Sequence, residues 1–202
     1  MEVLTLLGSL PDRRAFCLAA AALAAGAGCV RPARGAQDPD LAAAVKATYL
    51  HKFAPFVKWP AGAFAAADSP YVICVMGDDG FQDLVRRAVA GQTVGGRPFN
   101  VHSPATIEQA QRCHILYLGS AGFAPSATVI EALRGQPVLT VTDAASGTSS
   151  GVVHFLLDAG RVRFEIDARL AQLNGIEISS RVLELALRVK RAESQGPGRL
   201  PS

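Results

Sequence analysis

Tyr71-Val72-Ile73-Cys74-Val75-Met76-Gly77-Asp78-Asp79-Gly80 decides the fold. A continuous apolar run that ends in glycine reads as a strand buried on both faces, as parallel strands are. Asp78-Asp79-Gly80 turns the chain into a helix with Phe81, Leu84, Val85, Ala88 and Val89 on one face, and Gly91 caps it. The same grammar returns twice. His114-Ile115-Leu116-Tyr117-Leu118-Gly119 precedes a helix over Ala127–Arg134 that Gly135 ends, and Pro137-Val138-Leu139-Thr140-Val141 runs into Thr142-Asp143. Strands ending near Gly77, Gly119 and Asp143, each followed by a helix or loop, predict an α/β fold. Its centre is a largely parallel sheet flanked by helices.

Upstream, Leu41, Val45, Tyr49, Phe53 and Phe56 recur at spacings of four, four, four and three. That is an amphipathic helix stripe, with Lys46, Lys52 and Lys58 off it. Pro55 should kink or tighten its last turn, and Trp59-Pro60 ends the run. Aromatic residues at this spacing read first as a core helix, and second as an exposed docking surface. Between the first two strands, Thr93-Val94-Gly95-Gly96-Arg97-Pro98 suggests a hairpin-like turn. A short strand over Phe99–His102 and a brief helix over Thr106–Gln111 follow.

After Asp143 the pattern changes. Val152–Leu157 and Arg161–Ile166 flank Asp158-Ala159-Gly160, the signature of a late antiparallel β-hairpin. Phe164 and Ile166 alternate with Arg163 and Glu165, so one face should be wet. Asp167 starts a short helix to Gly175. Ser179 or Ser180 caps a last helix carrying Val182, Leu183, Leu185, Ala186 and Val189.

The 202-residue chain is half hydrophobic, enough for a substantial core in one domain over residues 37–192. Its net charge is +3, but residues 1–36 hold four arginines and two acids, which leaves +1 for the rest. No basic run with interleaved aromatics argues for nucleic acid. Arg13-Arg14 followed by the apolar run Ala15–Ala27 and small residues reads as a signal peptide, so residues 1–36 are a leader. Asp12-Arg13-Arg14-Ala15-Phe16 resembles a twin-arginine signal, and Gly26-Ala27-Gly28-Cys29 loosely resembles a lipid-attachment box. The expectation is an exported protein with simple cleavage, a lipid anchor at Cys29 being the lesser alternative. Gly196–Ser202 is a polar tail, and residues 193–202 are expected to be disordered.

Beyond the leader only Cys74 and Cys113 remain. An oxidising compartment favours a disulfide between them; two buried free thiols are the alternative. The Gly77–Gly80 turn lacks the spacing of a phosphate-binding loop, and Asp78 and Asp79 read as turn and cap residues. His51, His102, His114 and His154 form no metal motif, and no nucleophile elbow or Cys-x-x-Cys is present. No catalytic constellation, cofactor site or metal site is assigned. Arg97, Arg161 and Arg163 could meet an anionic ligand or partner, or be solvated charges.

The order of these motifs resembles the YfiR family of bacterial periplasmic proteins. The resemblance rests on Val45–Phe53 with Val57-Lys58-Trp59-Pro60, on Ile73–Asp79, and on Gly91-Gln92-Thr93-Val94-Gly95-Gly96-Arg97-Pro98. Cys113–Leu118, Pro137–Asp143, Arg161–Asp167 and Ile178–Ala186 continue it in the same order. It implies a periplasmic, non-catalytic regulator that binds and represses the sensor domain of an inner-membrane signalling protein. In the family's namesake that partner is a diguanylate cyclase, so release raises cyclic di-GMP and favours biofilm growth. The resemblance also implies redox linkage through cysteine pairs. Cys74 and Cys113 look like one pair, whereas Asp143–Gly160 lacks the cysteines of the other. A shared partner surface would use Phe155, Arg163, Glu165 and Ile166, and a free homodimer would compete with the partner. The competing reading places Phe155 and Ile166 in the sheet core. The alternative function is a small-molecule-binding accessory protein with its pocket at the strand ends near Gly77, Gly119 and Asp143.

Overall fold

The computed structural model describes residues 39–147 and 149–191. The expected leader over residues 1–36, including its export signal and Cys29, and the tail over 193–202 lie outside the described residues.

Helix α1 (Pro39–Phe53) ends in a 3-10 turn over Ala54–Phe56, where Pro55 tightens the chain as expected. A short strand β1 (Val57–Lys58) follows, then the first long strand β2 (Tyr71–Met76). Helix α2 (Asp79–Val89) starts at Asp78, whose carboxylate accepts from the Phe81 N–H. This is the cap role read from the sequence. Strands β3 (Thr93–Val94) and β4 (Arg97–His102) form the Gly95-Gly96 hairpin. Then come α3 (Ile107–Ala110), β5 (Ile115–Leu118), α4 (Ser126–Ala132) and β6 (Leu139–Asp143). The late hairpin is β7 (Val153–Asp158) and β8 (Arg161–Asp167), joined by Ala159-Gly160. Both turn residues have positive φ, 48° and 76°, which matches the twist of the flanking strands. Helix α5 (Ala168–Leu173), β9 (Glu177–Ile178), α6 (Ser180–Leu185) and β10 (Arg188–Lys190) close the chain.

Eight strands form one sheet in the order β10-β8-β7-β6-β5-β2-β4-β3. Its central strands pair in parallel, and the β3/β4 and β7/β8 pairs are antiparallel. The mixed α/β architecture read from the sequence is the one found. Strand alternation divides the core into two layers. Ile73, Val75, Ile115, Tyr117, Leu139 and Val141 share a layer with α1, α2, α5 and α6. Cys74, Met76, Leu116 and Leu118 face Ala110 of α3 and Val129 of α4 in the other.

Two local expectations are corrected. In α1 the buried positions include Ala42, Lys46, Ala47 and Leu50, while Leu41 is exposed and Val45 and Tyr49 are half-buried. Alanines on the inner face let the helix lie close to the sheet and α2 beside the buried Leu50 and Phe53, while Leu41, Val45 and Tyr49 sit toward its flank. The last helix stops at Leu185, and Val189 belongs to the edge strand β10, beside Ile166 of β8. There the main-chain bonds offered by β8 outweigh a helical continuation.

Candidate functional site at the late hairpin

The four residues expected to meet a partner lie on β7 and β8, and the pleat sorts them. Phe155 and Phe164 are directly paired, and both rings face Tyr49 and Phe53 of α1 at centroid distances of 5.3–6.1 Å. Phe155 is 0% exposed and Ile166 is 1% exposed. As placed, neither offers surface to a partner. Their alternation with polar neighbours puts both on the inner face of the sheet, so these two are core residues and the expectation for them is corrected. Arg163 and Glu165 point the other way and are half-buried.

That outer face is built in rows. Thr142, His154, Glu165 and Arg188 are successive partners across β6, β7, β8 and β10. The Thr142 hydroxyl lies 2.8 Å from His154 Nδ1, and Arg188 reaches Glu165 at 3.4 Å. Leu156 stands opposite Arg163 on one side of this row, and Lys190 beside Asp167 on the other. Burial holds the His154 imidazole below its ordinary value, against the pull of the Glu165 and Asp143 carboxylates. The Glu165 side chain is 17% exposed, so the face is a shallow polar surface. Arg161 is exposed at the hairpin tip on the same face.

Arg97 is engaged within the domain. Its guanidinium donates to the Ala66 and Ser69 carbonyls and lies over the Phe64 ring.

Cys74 and Cys113 form a disulfide, with Cα atoms 5.9 Å apart. It ties β2 to the residues entering β5 and is buried under α3. The open alternative of two free thiols is thereby settled.

One constellation escaped the sequence reading. Lys46 of α1, which lies off the stripe of large apolar residues, is buried and paired with Asp143 at the end of β6. The same carboxylate lies 3.4 Å from the Tyr117 hydroxyl, and its other oxygen accepts from the Ala145 N–H. Burial, then the Asp143 charge, hold the Tyr117 phenol far above its ordinary value, so it stays protonated. The only available signal was a lysine beside the helix stripe and an aspartate ending an apolar strand, 97 residues apart.

The strand-end crevice expected for a ligand is partly filled. Gly119 N–H donates to the Met76 carbonyl and Ala121 N–H to the Gly77 carbonyl. The Gly122 backbone then packs so close to Gly77 (φ +77°) that a side chain there has no room. Beside it remains a cleft of about 360 Å³ that includes Asp78, Asp79, Ser103 and Phe123.

Among the described residues no group of histidine, cysteine, aspartate and glutamate is placed to hold a metal ion, and no helix is long and apolar enough to cross a membrane. The sequence profile described as YfiR/HmsC-like matches residues 43–187. The chain belongs to the YfiR/HmsC-like family. The match runs from α1 through α6, so it takes in the disulfide, the buried Lys46–Asp143 pair and the late hairpin. YfiR/HmsC-like membership fits a regulatory, non-catalytic protein of cyclic di-GMP signalling. Together with the disulfide, it fits the periplasm.

Proposed function

We propose that this YfiR/HmsC-like protein is an exported periplasmic regulator that binds and represses the sensor domain of an inner-membrane signalling protein, a diguanylate cyclase. The observation that carries the reading is the family match over residues 43–187. The partner surface is the outer face of the late hairpin, with Arg163 and Glu165 at its centre and Arg161 at its tip. Arginine in a partly desolvated setting is a common interface anchor. Repression is a population shift: the bound sensor domain is held in its inactive state. The free domain is a homodimer that competes with the partner.

Envelope pull-down with the tagged protein tests this, with cyclic di-GMP measured before and after deletion of the gene. Capture of a membrane cyclase, and a rise of cyclic di-GMP on deletion, are expected. Capture of a different membrane sensor with cyclic di-GMP unchanged would overturn the cyclase assignment.

The cleft beside Gly77 supports a second reading, a small-molecule-binding accessory protein. A ligand-dependent rise in melting temperature, with no membrane partner captured, would favour it.

A further inference from the structure

We propose that His114 is an acid-released latch that holds the loop over residues 60–70 closed across Trp59. The inference goes beyond the regulatory reading and does not depend on which partner is bound.

The loop joins β1 to β2. Most of it is exposed, and Ala63, Phe64, Ser69 and Pro70 are half-buried. Side chains from other elements hold it. Arg97 of β4 donates to the Ala66 and Ser69 carbonyls at 2.9 and 2.6 Å. His114, just before β5, bonds through Nε2 to the Ala63 carbonyl at 3.0 Å. Phe64 stacks on the His114 ring at 4.2 Å and carries the Arg97 guanidinium 4.1 Å from its centroid. Trp59 lies beneath, buried, with its ring edge-on to Phe64, Tyr71 and His114.

The latch follows from what each nitrogen of His114 does. Nδ1 accepts the Val72 N–H at 3.0 Å, while the Val72 carbonyl accepts the His114 N–H at 2.9 Å. The side chain thus completes the main-chain pairing of β2 with the approach to β5. Nε2 must donate, because its partner is a carbonyl. Only the neutral ring with its proton on Nε2 satisfies both bonds. A second proton, on Nδ1, would set two N–H groups against each other. The ring would have to leave, and the Ala63 bond and the Phe64 stack would go with it.

The charged or titratable side chains facing His114 are Tyr71 of β2, with ring centroids 5.7 Å apart, and Arg97, across Phe64. Burial first, with the Arg97 charge adding to it, holds the imidazole below its ordinary value against the pull of the Ala63 carbonyl. The closed loop therefore resists protonation and the open loop accepts it. Acid favours the open loop, and opening uncovers Trp59 and the inner face of Phe64 as apolar surface.

Trp59 is the only tryptophan in the chain, so its emission reports on the loop. The purified protein is titrated from neutral to acid pH by tryptophan fluorescence, by NMR of the histidine rings and by hydrogen exchange. Below the ordinary imidazole range, protection of residues 61–70 is expected to fall by about tenfold per pH unit, while β5 and β6 stay protected. Trp59 emission should shift in step with the His114 ring signals. His114→Asn keeps an acceptor for the Val72 N–H but cannot titrate, and it should abolish the acid step. The same step in His114→Asn would overturn the proposal. So would a His114 titration that leaves loop protection unchanged, or simultaneous loss of protection throughout the sheet. The latter two are read on the unmodified protein and decide the matter even if the variant fails to fold.

Discussion

The two faces of the late hairpin share the same main chain and do opposite work. On the inner face Val153, Phe155, Phe164 and Ile166 are closed off in the core, the two phenylalanines against Tyr49 and Phe53 of α1. On the outer face His154, Arg163, Glu165 and Asp167 are half-buried, in and beside the Thr142–His154–Glu165–Arg188 row that is covered only at its Thr142 end. The period of two in a strand makes this division at every step. Aromatic character alone therefore does not mark an interface anchor. Phe155 is the more conspicuous residue in the sequence, but Arg163 on the opposite face is the one that keeps exposed surface.

Substitutions should break this contrast in a graded way. Phe155→Ala should cost about 3–5 kcal/mol, because it leaves a cavity between the β7/β8 pair and α1. Urea unfolding reads this directly, and a cost below about 1 kcal/mol would contradict the inner face as a packed core. Lys46→Met should cost a similar amount, about 3–5 kcal/mol, by stranding the Asp143 carboxylate in the core. The double variant Lys46→Met/Asp143→Leu should recover most of that loss, since a buried ion pair and an apolar pair are often equivalent. Failure to recover would mean that Asp143 does more than pair with Lys46, through Tyr117 and the Ala145 N–H.

Acidification should have a smaller effect of definite sign. Burial lowers the imidazole values of His51, His114 and His154 in the folded protein. Below about pH 6.5 the unfolded chain therefore binds more protons than the folded one. The histidine contribution to stability is complete above that pH and is lost as pH falls through it. Melting temperatures at pH 7.5 and 5.5 test this, and an equal or higher value at the lower pH would contradict it. On the outer face, Arg163→Ala and Glu165→Gln should each change stability by no more than about 0.5 kcal/mol. Thermal unfolding checks this, and a larger loss would mean that the outer face is structural as well.

Much of the fold was legible in the sequence because burial leaves a local trace. The apolar runs before Gly77 and Gly119, the Asp78 cap and the Ala159-Gly160 turn each announce themselves within a few residues. What escaped was decided at long range. Nothing within one turn of Lys46 shows that its partner is Asp143, at the end of a strand on the far side of the domain sequence. In α1 the large side chains mark a stripe of which only Phe53 is fully buried, whereas close packing selects Ala42 and Ala47. The spacing of Val189 from Leu185 suits a helix, and only pairing with the edge of β8 makes it a strand. For the candidate site, alternation in β8 placed Glu165 and Arg163 on the wet side. Assigning Phe155 and Ile166 to the same surface ignored that alternation.

The most direct test of the outer-face assignment is envelope capture by the tagged wild-type protein and by Arg163→Glu, with melting temperatures matched and cyclic di-GMP measured in parallel. The wild type should retain a membrane signalling protein. Arg163→Glu should lose it while staying folded, and cyclic di-GMP should rise as it does on deletion. Equal capture by both proteins, with cyclic di-GMP unchanged, would contradict the assignment of the outer hairpin face to partner binding.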